Sequence, residues 1–269
     1  MTDTSSSART PSARIIEKGS GDPIVYLHGL TGIDESDPLV NSLAVQSNVI
    51  APVAPGFDAA NDLATLDDVH DLAMHYEDLL ASRGLDRVAL IGHSFGGMIA
   101  AELAAHYPAR VSKLVLIAPL GLWDDDLRDG DLLGHSLPEM PELLWADPTS
   151  DVAAAASGSD LEPAVQVDRM IAMLQGFSAV AKFLWPLPDK GLAKRLHRIT
   201  AKTLVIWGGS DRVVSPEYAK HFAEAISGAQ STVLDDAGHL VTYERTADLM
   251  GLIGEFLTQS DGATTGLQE

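Results

Sequence analysis

Arg87-Val88-Ala89-Leu90-Ile91-Gly92-His93-Ser94-Phe95-Gly96-Gly97 decides how this chain is read. Residues 87–91 form a short apolar run of the kind found in a strand covered on both faces. Residues 98–106, Met-Ile-Ala-Ala-Glu-Leu-Ala-Ala-His, are apolar and helix-forming. The Gly-x-Ser-x-Gly pattern between them predicts a strand–turn–helix junction. In such an elbow a sharp, strained turn lifts the Ser94 hydroxyl above the edge of a sheet. Gly92 and Gly96 leave room where the strand and helix backbones nearly touch. A five-residue Gly/Ser pattern arises by chance, so its weight comes from the flanking strand and helix. A dinucleotide-binding glycine turn is the competing reading. It lacks both a G-x-G-x-x-G spacing and an early βαβ placement here.

Working outward, similar apolar runs occur at 23–27, 47–51, 113–117, 203–207 and 231–234, with an earlier edge strand at 14–17. Helical patterns lie between them. Thr65 and Asp68 suggest a capping box ahead of Val69, Leu72, Ala73, Tyr76, Leu79 and Leu80, which recur at helical spacing. Gly84 ends that helix. Ser215-Pro216 reads as an N-cap with proline at the first helical position. A final helix covers roughly 246–256. This alternation predicts an α/β fold with an open, mostly parallel, doubly wound sheet.

A serine hydroxyl needs a base to take its proton. Asp236-Ala237-Gly238-His239 follows the last strand, and His239 is the candidate base at the carboxyl edge of the sheet. His239 is one of 9 histidines, so its position, not its presence, carries the inference. The base needs an orienting acid. Trp207-Gly208-Gly209-Ser210-Asp211 leaves the strand at 203–207 and brings Asp211 to the same edge. Asp124, beyond the strand at 113–117, is the rival acid; Asp235 and Asp236 fit a turn better. The developing oxyanion needs two N–H donors. Phe95 supplies one by position. Leu30, in His28-Gly29-Leu30-Thr31-Gly32 after the strand at 23–27, supplies the other. His28 reads as a structural residue of that loop.

The stretch 121–197 breaks the rhythm. It has no convincing strand, contains Asp124-Asp125-Asp126 and several prolines, and is too long for an ordinary connection. Segments 168–174 and 176–185 read as helices. Trp123, Trp145, Phe177, Phe183 and Trp185 give it large apolar contact area, so it reads as a helical lid whose aromatics line a substrate pocket. The domain reading is a core of 14–120 and 198–257, the lid at 121–197, and flexible termini at 1–13 and 258–269.

Charge and composition narrow the function classes. The net charge of −20 disfavours nucleic acid and anionic membranes as partners. The absence of cysteine excludes disulfides, thiolate metal sites and cysteine nucleophiles. No H-E-x-x-H or G-x-x-x-x-G-K-[ST] is present, so neither metal nor nucleotide cofactor is expected. His70 and His75 do not share a helix face and read as solvated. The start shows no targeting signal and no run approaches about 18 apolar residues, so a cytoplasmic protein is expected.

Together His28-Gly29, Pro55-Gly56-Phe57, Gly92-His93-Ser94-Phe95-Gly96-Gly97, Gly208-Gly209-Ser210-Asp211 and Gly238-His239 resemble the lidded α/β-hydrolases, the group of serine esterases, lactonases, haloperoxidase-like enzymes and carbon–carbon bond hydrolases. The resemblance runs from about residue 14 to 257, and the order Ser94, Asp211, His239 is that superfamily's order. It implies a cofactor-free serine hydrolase working through an acyl-enzyme. Ser94 argues against the epoxide hydrolases and haloalkane dehalogenases of the superfamily, which carry Asp there. Its carbon–carbon bond hydrolases often place Trp after the catalytic His, where this chain has Leu240, and hold anionic substrates with lid arginines. Arg128, Arg169, Arg195 and Arg198 are the arginines available for that. The expected substrate is a small or medium, largely apolar ester or lactone. A vinylogous diketone acid is the alternative, and a non-enzymatic ligand-binding protein a third reading. A homodimer is compatible with all three.

Overall fold

A computed structural model describes residues 14–58, 61–127, 134–158, 161–186 and 189–259. Among the described residues seven strands form one sheet: β1 (Ile15–Lys18), β2 (Pro23–Leu27), β3 (Asn48–Pro52), β4 (Val88–His93), β5 (Val111–Ile117), β6 (Lys202–Gly208) and β7 (Gln230–Leu234). Their spatial order is β1-β3-β2-β4-β5-β6-β7. Only β1 runs antiparallel, against β3; all other pairs are parallel. Each expected strand is present within a residue or two of its anticipated bounds.

The apolar runs are continuous because both faces of the sheet are covered. Val25, Leu27, Leu90, Leu114, Leu116, Val205 and Trp207 face one core. Ile24, Tyr26, Ile91, Val115, Ile117, Leu204 and Ile206 face the other. Successive residues thus alternate between two buried layers, as strand geometry requires. Helices α2 (Val69–Ser82) and α3 (Phe95–His106) supply much of the first layer. Helices α1 (Pro38–Leu43) and α9 (Thr246–Thr258) cover the second. The helix α7 (Tyr218–Ala225) lies between β6 and β7 in the chain, and α8 (Val241–Glu244) follows β7.

Between β5 and β6 the described residues form only helices: α4 (Met140–Leu144), α5 (Asp151–Ser157), α6 (Pro163–Leu184) and short 3-10 turns. Segments 168–174 and 176–185 are one helix, not two. Gly176 sits inside α6 because a Cβ there would lie 2.6 Å from Phe57 Cε1 and 3.1 Å from the Leu30 carbonyl oxygen. The glycine that suggested a break is what lets the helix approach the loop after β2.

Four local readings change. His75, expected to be solvated, is buried on α2 with its ring edge-on to Tyr76. Asp68 caps α2 alone, accepting from the His70 and Asp71 N–H groups, while Thr65 closes a preceding 3-10 turn. Ser215 and Pro216 form a turn that precedes α7, which begins at Tyr218. Thr258 still belongs to α9, and the Gln259 carbonyl accepts from Lys113 Nζ at 2.6 Å, so the flexible tail cannot begin at 258. The expected tail at 1–13 and the remainder of the one at 258–269, residues 260–269, lie outside the described residues. Among the described residues no helix is long and apolar enough to cross a membrane.

Candidate active site

Ser94 lies between the end of β4 and the start of α3 with φ 55° and ψ −119°, a left-handed backbone that a non-glycine residue seldom adopts. The Ser94 N–H donates to the Ile117 carbonyl at 2.9 Å, and the Ser94 carbonyl accepts from Leu120 and Met98. These bonds to the end of β5 hold the turn in place. The glycines around it are forced by space. A Cβ at Gly96 would lie 2.2 Å from the Leu27 carbonyl oxygen, and one at Gly92 would lie 2.4 Å from the Gly96 carbonyl oxygen.

The ends of β4, β6 and β7 converge on this turn. His239 Nε2 lies 2.7 Å from Ser94 Oγ. His239 Nδ1 lies 2.8 Å from Asp211 Oδ2. Asp211 Oδ1 accepts the N–H groups of Val213 and Val214 at 2.8 and 3.0 Å. The carboxylate is therefore fixed by its own loop and aims its second oxygen at the imidazole. That fixes the tautomer: Nδ1–H donates to Asp211, and Nε2 accepts the serine O–H. All three side chains are buried. Asp124 stands apart. Its N–H donates to the Tyr218 hydroxyl and its Oδ1 accepts from the Asp126 N–H.

Phe95 opens α3, so its N–H lies in the first turn, where the helix supplies no acceptor. Gly32 N–H closes a turn onto the Gly29 carbonyl at 3.2 Å, which leaves Leu30 N–H outside that bond. A Cβ at Gly29 would meet Ser94 Cβ and His93 Nδ1 at 3.0 Å, so the loop passes directly over the serine. His28 accepts the Ala54 N–H at Nε2, 2.9 Å, and donates from Nδ1 to the Gly29 carbonyl, 2.8 Å. It is the structural residue the loop reading expects. Burial lowers its pKa to about 4, keeping it neutral.

Several positioning residues escape a linear reading. His93 Nε2 donates to the His239 carbonyl at 2.9 Å, and burial, reinforced by the neighbouring His239, lowers its pKa to about 3. Glu244 accepts the Gly238 N–H at 2.7 Å and the Ala146 N–H at 2.8 Å, tying the His239 loop to the segment after α4. Arg212 donates to the Glu142 and Trp145 carbonyls, and Leu240 N–H to the Leu144 carbonyl. The only sequence signal for His93, Arg212 and Leu240 was adjacency to Ser94, Asp211 or His239, and Glu244 had none.

The five insertion aromatics divide. Phe183 is buried and stacks on Phe95, ring centroids 5.9 Å apart. Phe177 is half-buried against the same core. Trp145 is buried beside Tyr243, with its backbone against Gly238. Trp123 and Trp185 depart from expectation. Trp123 is half exposed, donates to Asp125, and lines a separate cavity of about 160 Å³ with Asp124, Asp189, Tyr218 and His221. Trp185 is 66% exposed beyond the end of α6. Trp123 is bonded to Asp125 and Trp185 caps the end of α6, and neither belongs to the core cluster that holds Phe95 and Phe183.

Comparison with known proteins agrees with this architecture. A 2-hydroxymuconate semialdehyde hydrolase from Pseudomonas sp. (strain CF600) is 28% identical over 92% of this chain and 90% of its own length. The dihydrolipoyllysine-residue acetyltransferase component of the acetoin cleaving system of Cupriavidus necator is 28% identical over 91% of this chain. The chain spans 66% of the length of that protein. In structure, an esterase from Exiguobacterium antarcticum superposes with a TM-score of 0.74 at 20% identity, covering 92% of this chain and 96% of its own, a likeness of fold. Residues 24–250 match the alpha/beta hydrolase family, and the chain belongs to that family.

Proposed function

We propose that this hydrolase cleaves small or medium, largely apolar carboxylic esters or lactones through an acyl-enzyme on Ser94. The observation that carries the reading is the buried relay Ser94 Oγ–His239 Nε2, His239 Nδ1–Asp211 Oδ2, at 2.7 and 2.8 Å. Ser94 attacks the carbonyl carbon while His239 Nε2 takes its proton. Asp211 holds the imidazole in the required tautomer and stabilises the imidazolium. The N–H groups of Phe95 and Leu30 receive the oxyanion, each such donor being worth about 10²–10³ in rate. His239 then protonates the departing alkoxide. In the second half it takes a proton from water, which attacks the acyl carbonyl and releases Ser94. In a lactone the alcohol stays attached to the acyl chain until water frees the hydroxy acid. Trp145, Phe177 and Phe183 pack in or against the same apolar cluster as Leu30 and Phe95, which supports a role for them in receiving the acyl portion.

A carbon–carbon bond hydrolase of vinylogous diketone acids is the competing reading, supported by the semialdehyde hydrolase relative. Such an anionic substrate calls for a guanidinium over the serine. Arg169 donates to the Ala156 carbonyl, Arg195 grips Glu102, and Arg198 donates to the Ala105 carbonyl. The last two bond to the second half of α3, at Glu102 and Ala105, roughly 12 and 16 Å along its axis from Ser94. Arg195 and Arg198 are thus committed along α3, which supports an uncharged substrate; Arg169 acts electrostatically on Asp34 and Tyr243, and Arg128 lies outside the described residues. A purely binding role would leave the complete relay without a purpose.

The test is kcat/KM for chromogenic esters of increasing acyl length, a lactone series and one ring-fission diketone acid. The expected result is ester or lactone turnover far above that of the diketone. Efficient diketone cleavage with inert esters would overturn the assignment in favour of carbon–carbon bond hydrolysis.

A further inference from the structure

We propose that His70, Glu102 and His106 form a zinc-class metal site at the end of α3 remote from Ser94. His70 lies in the first turn of α2 and His106 is the last residue of α3. Glu102 precedes His106 by one helical turn, so both side chains leave the same face. His70 Nδ1 lies 3.1 Å from His106 Nε2, and His106 Nε2 lies 3.5 Å from Glu102 Oε2. All three ligand atoms fall within 4.8 Å of one another. A tetrahedral ion with ligand bonds of about 2.0–2.1 Å sets its ligand atoms roughly 3.3–3.4 Å apart. The two separations to His106 bracket that edge length, and the third, His70 to Glu102, lies within 4.8 Å and closes onto the ion when it binds.

The surroundings fit an ion held mainly by nitrogen. The imidazole rings meet nearly at right angles, 89° with centroids 5.2 Å apart, so their nitrogens converge without the rings stacking. Glu102 is buried, and Arg195 fixes its carboxylate with Nε at 2.8 Å from Oε2 and Nη2 at 2.6 Å from Oε1. Oε2 keeps a second lone pair for a metal. Arg195 also offsets the carboxylate's charge, so affinity rests on the two imidazoles. That selects zinc and its borderline-soft neighbours over magnesium or calcium, which need several oxygens. The half-exposed rings of His70 and His106 leave an entry path and a fourth position for water. Such an ion ties the start of α2 to the end of α3 and acts on stability, not on the chemistry at the elbow.

The experiment is a zinc titration of the untagged full chain near neutral pH, followed by calorimetry and thermal unfolding, with His70→Ala and His106→Ala alongside. The expected result is one bound equivalent and a saturating rise in Tm, as for any ligand of the native state. Magnesium produces neither effect. Loss of the zinc-dependent rise in either folded variant supports the site, and circular dichroism verifies that the variants fold. His70 is partly exposed in a first helical turn, so His70→Ala remains informative if His106→Ala fails to fold. No saturable zinc binding by the native chain, or undiminished binding in His70→Ala and in any folded His106→Ala, overturns the proposal.

Discussion

Ser94 occupies a backbone region that costs on the order of 1–3 kcal/mol for a non-glycine residue, and the bonds from Ile117 and Leu120 hold it there. Its hydroxyl contributes little to packing, so Ser94→Ala should keep the fold and lose both ester turnover and labelling by a fluorophosphonate. Equal labelling of the two proteins would remove Ser94 from the chemistry. Asp211 donates nothing and accepts three hydrogen bonds, one from the imidazole. Asp211→Asn should lower the acylation rate by about 10³–10⁴, the scale of a wrong tautomer. Asp124→Asn should cost little, because that carboxylate serves its own turn; the reverse ranking in single-turnover rates would move the acid to the loop after β5. Ser94, Asp211 and His239 were legible because each follows its own strand within a short local motif. His93, Glu244 and Arg212 were not. Their partners are the His239 carbonyl, the Gly238 and Ala146 amides, and the Trp145 carbonyl. Only the fold brings those groups within reach.

At the scale of elements, α6 shows what periodicity misses. Its glycine reads as punctuation in a sequence, yet its function is to bring the helix against Phe57 and the Leu30 carbonyl. Alanine at 176 gains about 0.8–1 kcal/mol of helix propensity. The added Cβ overpacks a contact where such strain costs about 1–3 kcal/mol. Gly176→Ala should therefore lower stability slightly and reduce kcat even on the smallest ester, because the displaced neighbour carries an oxyanion donor. Unchanged kcat with higher stability would show that α6 yields freely. Phe183 is 2% exposed and stacked on Phe95. Phe183→Ala should lower stability by about 3–5 kcal/mol and shift preference along an acyl-chain series without abolishing turnover of short esters. A stable variant with an unchanged chain-length profile would place the substrate elsewhere. Trp123 and Trp185 were expected in the pocket from residue type alone, and residue type does not encode which way a side chain turns in an irregular insertion.

Across the whole molecule, two buried layers enclose a sheet whose carboxyl ends carry the elbow, the acid and the base. The parallel strands were readable because burial on both faces removes the polar alternation that makes short strands ambiguous. The brief α1 was missed because its apolar residues, Leu39, Val40 and Leu43, span too few turns to show a period. Burial of neutral histidines couples this architecture to acid. His28 and His93 titrate at about 4 and about 3 in the folded chain, against an ordinary value of 6.5. Below that ordinary value the unfolded chain binds protons that the folded chain refuses, so stability is complete above pH 6.5 and declines as pH falls. Tm should drop between neutrality and about pH 5, before most carboxylates titrate, and drop less steeply in His28→Asn. A flat profile in the native chain over that range would contradict the buried neutral state. The central claim is that Ser94 carries the acyl group. Its most direct measurement is acid-quenched peptide mass mapping during turnover of a slowly deacylating ester. The account predicts an acyl increment on the peptide at Ser94, absent from Ser94→Ala. Ester consumption with no adduct on that peptide, or the same adduct in the variant, would contradict it.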